Sequence, residues 1–231
     1  MKKFIAAILC AVFAITATTA QANPLWRVTE IYAGISGEDG TNDWFELTNV
    51  GSMPGDTGTL FYDDESADIL EAGQLDSFIL APGESAIFLD DPTPKDEVAY
   101  TTSVEEFNAI WGPGINVGLT NGGGGLSGDG DAVFILDAQG DAITNVTFPA
   151  LPSGLPLEAL TIDLGSDSLG LSEVGVRGAY LSAEFFNDNI GPGPDFLIQL
   201  TGSPGIAVPE PASLALVSLA LAALAARRNR G

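Results

Sequence analysis

Residues 43–49 read Asp-Trp-Phe-Glu-Leu-Thr-Asn, and this alternating stretch decides the predicted fold. Successive side chains of a β-strand point to opposite faces, so Trp44 and Glu46 share one face and the apolar odd-numbered residues share the other. A carboxylate within such a strand is stable only when it is exposed or paired. Arg27 and Arg177 are the candidate partners for Glu46.

Short runs of similar character lie on both sides of this strand. They are rich in aromatic and β-branched residues and are separated by Gly, Pro, Asn and Asp, which is the pattern of strands joined by turns. The chain therefore predicts an all-β sandwich. The predicted strands are Leu25–Tyr32, Asp43–Asn49, Thr59–Tyr62, Ser77–Leu80, Ser85–Leu89, Ala132–Leu136 and Asp141–Phe148, followed by the weaker candidates Leu157–Leu164, Val174–Leu181 and Phe196–Leu200.

One segment departs from the β pattern. Ser103 and Glu106 have the spacing of a capping box, in which an N-cap hydroxyl and an N3 carboxylate satisfy free amides reciprocally. The apolar residues that follow have helical spacing, and the sequence Gly112–Gly114 ends the run. We expect one short helix of about two turns, packed on an edge or an end of the sheet.

The N-terminus has the pattern of a secretory signal peptide. A basic pair at residues 2–3 precedes an apolar stretch at residues 4–15, and Ala20 and Ala22 form an A-x-A cleavage site. We therefore assign residues 1–22 to the signal peptide and begin the mature chain at Asn23.

The composition excludes several classes of function. Residues 23–205 contain 30 acidic and three basic residues, a net charge of about −27, which repels nucleic acids and attracts divalent cations or polycations. The chain has no histidine, and its one cysteine, Cys10, lies in the signal peptide. Histidine-based catalysis, disulfides and cysteine metal sites are therefore excluded from the mature chain. Catalysis by pairs of carboxylates stays open.

The glycine-rich loop at residues 121–131 is the best candidate for a metal site. Asp129, Asp131 and glycine carbonyls offer the oxygen ligands that calcium prefers. The alternative is a flexible hairpin approach in which glycines take positive φ. Two further acidic clusters, at residues 63–71 and 90–97, are candidates for calcium ligands, for a glycosidase acid and base, or for solvated loops. No cofactor is predicted apart from this candidate calcium.

The three tryptophans, Trp26, Trp44 and Trp111, permit two interpretations. They would form a stacking platform for sugars if they were exposed, or part of the core if they were buried. We favour the core.

Residues 206–231 combine three parts in a fixed order: a proline-rich motif, an uncharged apolar run and a basic end. The run at residues 212–226 would form a helix of roughly 22 Å, and arginines after it would extend its reach towards the ~30 Å of a bilayer core. We predict a single transmembrane helix there, with the body facing outward. The residues that mark the two flanking parts are Val208, Pro209, Glu210, Pro211, Arg227, Arg228 and Arg230.

This tail resembles the PEP-CTERM sorting signal of Gram-negative bacteria. The resemblance implies recognition by exosortase, a membrane protease-transpeptidase, which removes such tails during export. It also implies a protein that is held in the membrane by its C-terminal helix before processing and then lies at the cell surface or in the extracellular matrix.

The body, residues 23–205, resembles the lamin-tail domain in its bacterial secreted form. The resemblance implies an immunoglobulin-like β-sandwich with a binding, adhesion or scaffolding role. The acidic loops, the helix and the long stretch at residues 149–196 depart from that pattern. The pieces that carry the resemblance are Val28–Tyr32, Trp44–Asn49, Leu80–Leu89, Gly118–Gly123, the hairpin Asp131–Phe148 and the closing Gly202–Gly205.

These observations favour an exported structural or binding protein that is not an enzyme. Its expected partners are exosortase, the membrane before processing, and extracellular polysaccharide or divalent cations, with no nucleic acid. The alternatives are a secreted carbohydrate-active or metal-dependent hydrolase that uses Asp/Glu pairs, and a calcium-dependent adhesin.

Overall fold

The computed structural model describes residues 23–34, 41–151, 157–163, 168–186 and 197–206. Over these residues the protein is mostly β-sheet, with one α-helix, α1 (Ser103–Trp111), and a short 3₁₀ helix at Thr57–Thr59. The strands are β1 (Trp26–Tyr32), β2 (Trp44–Asn49), β3 (Gly55–Asp56), β4 (Phe61–Asp63), β5 (Gly73–Gln74), β6 (Ile79–Leu80), β7 (Ser85–Leu89), β8 (Val117–Leu119), β9 (Gly130–Leu136), β10 (Ala142–Pro149), β11 (Leu157–Glu158), β12 (Leu160–Asp163), β13 (Ser168–Leu171), β14 (Tyr180–Leu181), β15 (Phe185–Phe186), β16 (Leu197–Ile198) and β17 (Leu200–Gly202).

A central sheet of six strands has the order β13-β12-β1-β2-β7-β8. Neighbouring strands are antiparallel except β7 and β8, which are parallel. Strand β2 lies between β1 and β7. All of its residues are buried, so the strand is covered on both faces and Glu46 is not exposed.

A second sheet packs on one face of the central sheet. Its order is β10-β9-β4-β5, and the two sheets share an apolar core. The packing of two largely antiparallel sheets agrees with the all-β prediction. The buried residues of this core include Trp26, Val28, Ile31, Phe45, Leu47, Tyr62, Phe88, Val133, Ile135 and Phe148.

The other face of the central sheet has a separate core beneath α1 and a small sheet of order β11-β17-β14. Helix α1 therefore packs over a face of the sheet, and not only on an edge or an end as predicted. This second core includes Tyr32, Trp44, Ile87, Leu89, Phe107, Trp111, Ala159 and Leu200.

A β-bulge at Thr29 changes which side chains of β1 face each core. Val28 pairs with Leu47, but Glu30 pairs with Glu46, so Thr29 is the extra residue. A bulge reverses the alternation beyond it. Without the bulge, Glu30 would share a face with Val28; with the bulge, Glu30 shares a face with Glu46.

The start of α1 differs from the capping-box prediction. The N-cap is Thr102, whose hydroxyl accepts a hydrogen bond from the amide of Glu105 at 3.1 Å. Glu106 instead accepts hydrogen bonds from the backbone amides of Lys95 and Asp96, both at 3.0 Å. The N-cap thus lies one residue before the predicted Ser103, and the Glu106 carboxylate holds the preceding loop.

The predicted strands match best where they are long, and several shorter ones were misplaced. Thr59 ends the 3₁₀ helix, so β4 begins later than predicted, and of the run from Ser77 only Ile79–Leu80 pairs. The candidate from Val174 is mostly a turn, where Arg177 has a φ of 51°, and only its last two residues pair. Strands β3, β5, β8, β13 and β15 were not predicted.

No helix among the described residues is long and apolar enough to cross a membrane. The predicted transmembrane helix at residues 212–226 and the predicted signal peptide at residues 1–22 lie outside the described residues.

Candidate functional site

The most unusual feature of the described structure is a buried pair of glutamates, Glu30 and Glu46. They are directly opposite each other in the antiparallel register of β1 and β2. Their side chains are 0% and 2% exposed. Two adjacent buried carboxyl groups are costly unless hydrogen bonds and protons compensate for the lost water and for their mutual repulsion.

The carboxyl group of Glu30 is surrounded by donors from the C-terminal part of the body. The amide of Ser203 donates to Oε1 at 2.8 Å and to Oε2 at 3.0 Å, and the Ser203 hydroxyl donates to Oε2 at 3.1 Å. The hydroxyl of Ser172 donates to Oε1 at 3.0 Å, and that of Thr161 is 3.5 Å from the same oxygen. Every donor comes from a segment at least 131 residues away in sequence.

The carboxyl group of Glu46 accepts hydrogen bonds on both oxygens. The hydroxyl of Thr29 donates to Oε1 at 2.5 Å, and that of Ser85 to Oε2 at 2.9 Å. The amide of Gly205 donates to Oε2 at 2.7 Å. The sequence left Glu46 either exposed or paired, with Arg27 and Arg177 as candidate partners; the structure buries it, and its hydrogen-bond donors are two hydroxyls and a backbone amide.

Burial raises the pKa of both carboxyl groups. Loss of water, followed by repulsion from Glu46, raises the pKa of Glu30 to about 8, although the bonds from Ser203 and Ser172 oppose the rise. Burial also raises the pKa of Glu46 against the bonds from Thr29, Gly205 and Ser85. The pair therefore holds a proton at neutral pH, which reduces the repulsion between its members.

The two glutamates together fasten the closing segment, which we define as residues 202–205. Glu30 binds it at Ser203 and Glu46 binds it at Gly205, two residues further along. Its first residue, Gly202, belongs to β17 and is itself buried. The acid pair thus joins β1 and β2 to the last part of the body before the C-terminal tail.

Gly202 permits this close approach. A Cβ at this position would lie 2.9 Å from Cη2 of Trp111 and 3.2 Å from Oε1 of Glu30. Those separations leave no room for a side chain without movement of the indole ring or the carboxyl group. The glycine is therefore required by the packing of β17 on the acid pair and on α1.

The glycine-rich loop packs closely on β4. A Cβ at Gly123 would collide with the backbone oxygen of Tyr62, and one at Gly124 would collide with the carboxyl group of Asp64. Gly123 and Gly124 have φ values of 91° and 84°. This part of the loop is thus shaped by close backbone contact and positive φ, as the hairpin alternative to a calcium site requires.

Of the two predicted calcium ligands, the carboxylate of Asp131 makes local hydrogen bonds. Asp131 accepts from the amides of Ser127 and Ala132 at 2.9 and 2.8 Å, and Asp129 is exposed. Within the described ranges no group of three or more His, Cys, Asp or Glu side chains is arranged to hold a metal ion. Calcium binding by Asp129 and Asp131 stays a prediction.

A further acidic residue near this loop has an altered pKa. Burial raises the pKa of Asp90 to about 6, opposed mainly by the positive charge of Lys95. Lys95 also forms an ion pair with Asp91 at 3.5 Å. The acidic cluster at residues 90–97 is thus partly neutralised by its own lysine.

All three tryptophans are buried, with exposures of 4% for Trp26, 0% for Trp44 and 5% for Trp111. Trp44 stacks on Tyr32 at 6.0 Å between ring centroids and meets Trp111 edge-on at 5.9 Å. The burial and these contacts confirm that the three tryptophans belong to the core. They therefore do not form the exposed platform that sugar stacking would need.

Sequence reasoning identified Glu46 and the closing segment separately but missed their connection through Glu30. Glu30 lies in a run that reads as an ordinary alternating strand, and no local pattern signals the bulge at Thr29. The one signal was indirect: Glu46 and Gly202–Gly205 were both among the pieces that resemble a lamin-tail domain, and the structure brings these pieces together.

The described body ends at Ile206, beside this acid pair, and a family match begins at the next residue. The model of the PEP-CTERM protein-sorting motif matches residues 207–230. The match confirms the sorting signal predicted from the tail and implies export, processing by exosortase and a surface or extracellular location. The individual roles of the residues that mark this tail, and of Ala20 and Ala22, stay predictions.

Comparison with curated proteins and with solved structures found no significant match. The lamin-tail resemblance of the body stays a prediction from its sequence pieces.

Proposed function

We propose that this protein is an exported structural or binding protein of the cell surface or extracellular matrix, without catalytic activity. Its body is an immunoglobulin-like β-sandwich of the lamin-tail type, and its tail directs it to exosortase. Its acidic surface interacts with divalent cations or with cationic groups of extracellular polymer. Residues 212–226 hold it in the membrane until the tail is removed.

The observation that carries the non-catalytic role is the burial of the acid pair. Glu30 and Glu46 resemble the carboxylate pair of a hydrolase in their proximity and in their raised pKa values. Each carboxyl oxygen, however, is bonded to the protein itself and is sealed from solvent. A substrate would have to displace the closing segment to reach them, so this pair supports stabilisation and not turnover.

The surface supports the proposed binding role. The body carries a net charge of about −27, and exposed acids lie on many of its loops. Such a surface concentrates divalent cations and repels nucleic acids. The exposed acidic residues include Glu65, Asp68, Glu71, Glu84, Glu97, Asp129, Asp141, Glu173 and Glu184.

The sorting part of this proposal is tested by the intact mass of the protein isolated from cells with and without exosortase. We expect a product that ends near residues 208–211 only when exosortase is present. A protein that keeps its arginine-rich end in both strains would contradict the assignment.

The binding part is tested with the processed protein from the culture medium. We expect it to sediment with the producer's extracellular polysaccharide, to be released by a chelator or by salt, and to show no turnover of polysaccharides or simple esters. A turnover that Glu30→Gln or Glu46→Gln abolishes, in protein that remains folded, would establish the hydrolase alternative instead.

A further inference from the structure

The acid pair holds the last described turn of the body directly before the sorting motif. The amide of Gly205 is 2.7 Å from Oε2 of Glu46. One residue later, the amide of Ile206 donates to the backbone oxygen of Ser203 at 3.0 Å. The matched motif begins at residue 207, so no free spacer separates the fastened segment from the sorting signal.

The distance that remains is set by covalent geometry. Pro209 begins the Pro-Glu-Pro tripeptide four residues after Gly205, and four residues span at most about 14 Å in any conformation. A single helix with its side chains is about 10–12 Å thick. One layer of helices around the tripeptide would therefore fill nearly all of this distance, and a thicker enzyme would touch the folded body.

Release of the closing segment would increase the distance that the tripeptide can reach from the folded body. Without the bonds to Glu30 and Glu46, the last fixed residues would be those of the small sheet around Leu200, whose amide binds the hydroxyl of Ser182 at 2.9 Å. The accessible tail would then be roughly twice as long before the tripeptide is reached. The body would keep both of its apolar cores, since neither contains a residue of the closing segment.

We propose that Glu30 and Glu46 are positioning residues for processing of the tail: they hold residues 202–205 against β1 and β2 and so limit the access of exosortase to the Pro-Glu-Pro tripeptide. This inference rests on the proposed sorting function. The two glutamates limit how far the tripeptide extends from the body, and exosortase carries out the cleavage.

The test measures the rate of tail removal in cells that express exosortase, by pulse labelling and intact mass, for four full-length chains. They are the natural chain, Glu30→Ala, a chain with a Gly-Ser linker of about six residues inserted after Ile206, and the combination of both changes. Alanine is used because glutamine would keep an acceptor for the amide of Ser203. The linker adds about 13 Å of average reach and leaves the acid pair intact. Glu97→Ala, at an exposed position, is the matched control.

We expect the linker and Glu30→Ala each to increase the rate several-fold, Glu97→Ala to leave it unchanged, and the combination to be no faster than the linker alone. If the two effects do not add, the reach of the tail limits processing; general destabilisation would instead act equally in the chain with the linker. Ser203→Ala removes only one hydroxyl donor to Glu30, so it should give a smaller increase and serves if Glu30→Ala does not fold.

Two results would overturn the inference, and a third would overturn its premise. Processing that is unchanged by the linker would show that reach is not limiting. An effect of Glu30→Ala that persists in full in the long-linker chain would show that the glutamate acts through stability alone. Absence of processing in every chain, including the natural one, would remove the sorting function itself and the positioning role with it.

Discussion

The backbone amide of Ser203 lies 2.8 Å from Oε1 of Glu30, across 173 residues of sequence. This hydrogen bond, together with the one from Gly205 to Glu46, joins the end of the body to its first two strands. A charge-assisted hydrogen bond contributes more than a neutral one, and a buried amide left without a partner is costly. The stability of the body therefore depends on the protonation state of Glu30 and Glu46 and on their hydrogen bonds to the closing segment.

Stability should fall as the pH rises from about 4.5 to about 8. The pKa of Glu30 is raised from 4.5 to about 8 in the folded state. Below pH 4.5, the pKa of Glu30 in the unfolded chain, both states bind the proton and the stabilisation is fully present. Above pH 4.5 the unfolded state releases its proton first. The free energy of unfolding therefore falls with rising pH and levels off above about pH 8, where the folded state has also released its proton. The expected loss of unfolding free energy is at most about 5 kcal/mol. Chemical denaturation at several pH values measures it.

Because the chain has no histidine, the pH dependence of the unfolding free energy is easier to assign to the acid pair. No side chain with an ordinary pKa between about 6 and 8 is present, and the raised pKa of Asp90 is about 6, so a fall in stability above about pH 7 reports the acid pair. Glu30→Gln should flatten the curve there. A curve that keeps its slope in this variant, or that becomes flat in molar salt, would instead point to repulsion between surface charges.

Glu46→Ala should destabilise the body by about 3 kcal/mol or more. The change removes the acceptor of three hydrogen bonds, from Thr29, Ser85 and Gly205, in a site sealed from water. Glu97→Ala, at an exposed position, should change the free energy of unfolding by less than about 0.5 kcal/mol. Equal effects of the two substitutions on urea denaturation would contradict the role of the buried pair.

Gly123→Ala should cost more than Gly112→Ala. Both glycines have positive φ, 91° and 99°, so both substitutions carry a backbone cost of about 1–3 kcal/mol. A Cβ at Gly123 additionally collides with the backbone oxygen of Tyr62, whereas a Cβ at Gly112 meets nothing within 4 Å. The difference between their unfolding free energies isolates the contact of the glycine-rich loop with β4.

The tryptophan fluorescence of the folded protein should be typical of buried indole rings that a quencher reaches poorly. Trp26, Trp44 and Trp111 are at most 5% exposed, so acrylamide should quench them poorly until the protein unfolds. Extracellular polysaccharide should leave the emission maximum in place, even where it binds the acidic surface. A polysaccharide-dependent shift in the native protein would restore the sugar-stacking interpretation.

Calcium provides a direct test of the predicted Asp129–Asp131 site. A calcium ion bound only by the folded protein would raise the Tm in proportion to its affinity. Because Asp131 already accepts two backbone hydrogen bonds, we expect millimolar calcium to raise the Tm little more than magnesium does. A larger calcium-specific rise that Asp131→Asn abolishes would establish the site.

Long elements were predictable because their signals are local. Strands β2, β7 and β9 and helix α1 lie within two residues of their predicted bounds at the start and end, since alternation, helical spacing and turn residues are all read within a short window. The two-residue strands beyond residue 156 carry no such pattern. Their pairing depends on partners distant in the sequence, as when Leu157 pairs with Leu200.

The β-rich character of the body, the burial of its tryptophans and the sorting motif at residues 207–230 could all be predicted, because composition and short motifs suffice for each of them. The contact between Glu30 and Glu46, and the position of residues 202–205 over both, could be found only in the folded structure. A one-residue bulge reverses the alternation of β1, and hydrogen bonds across as many as 173 residues exist only once the backbone has folded.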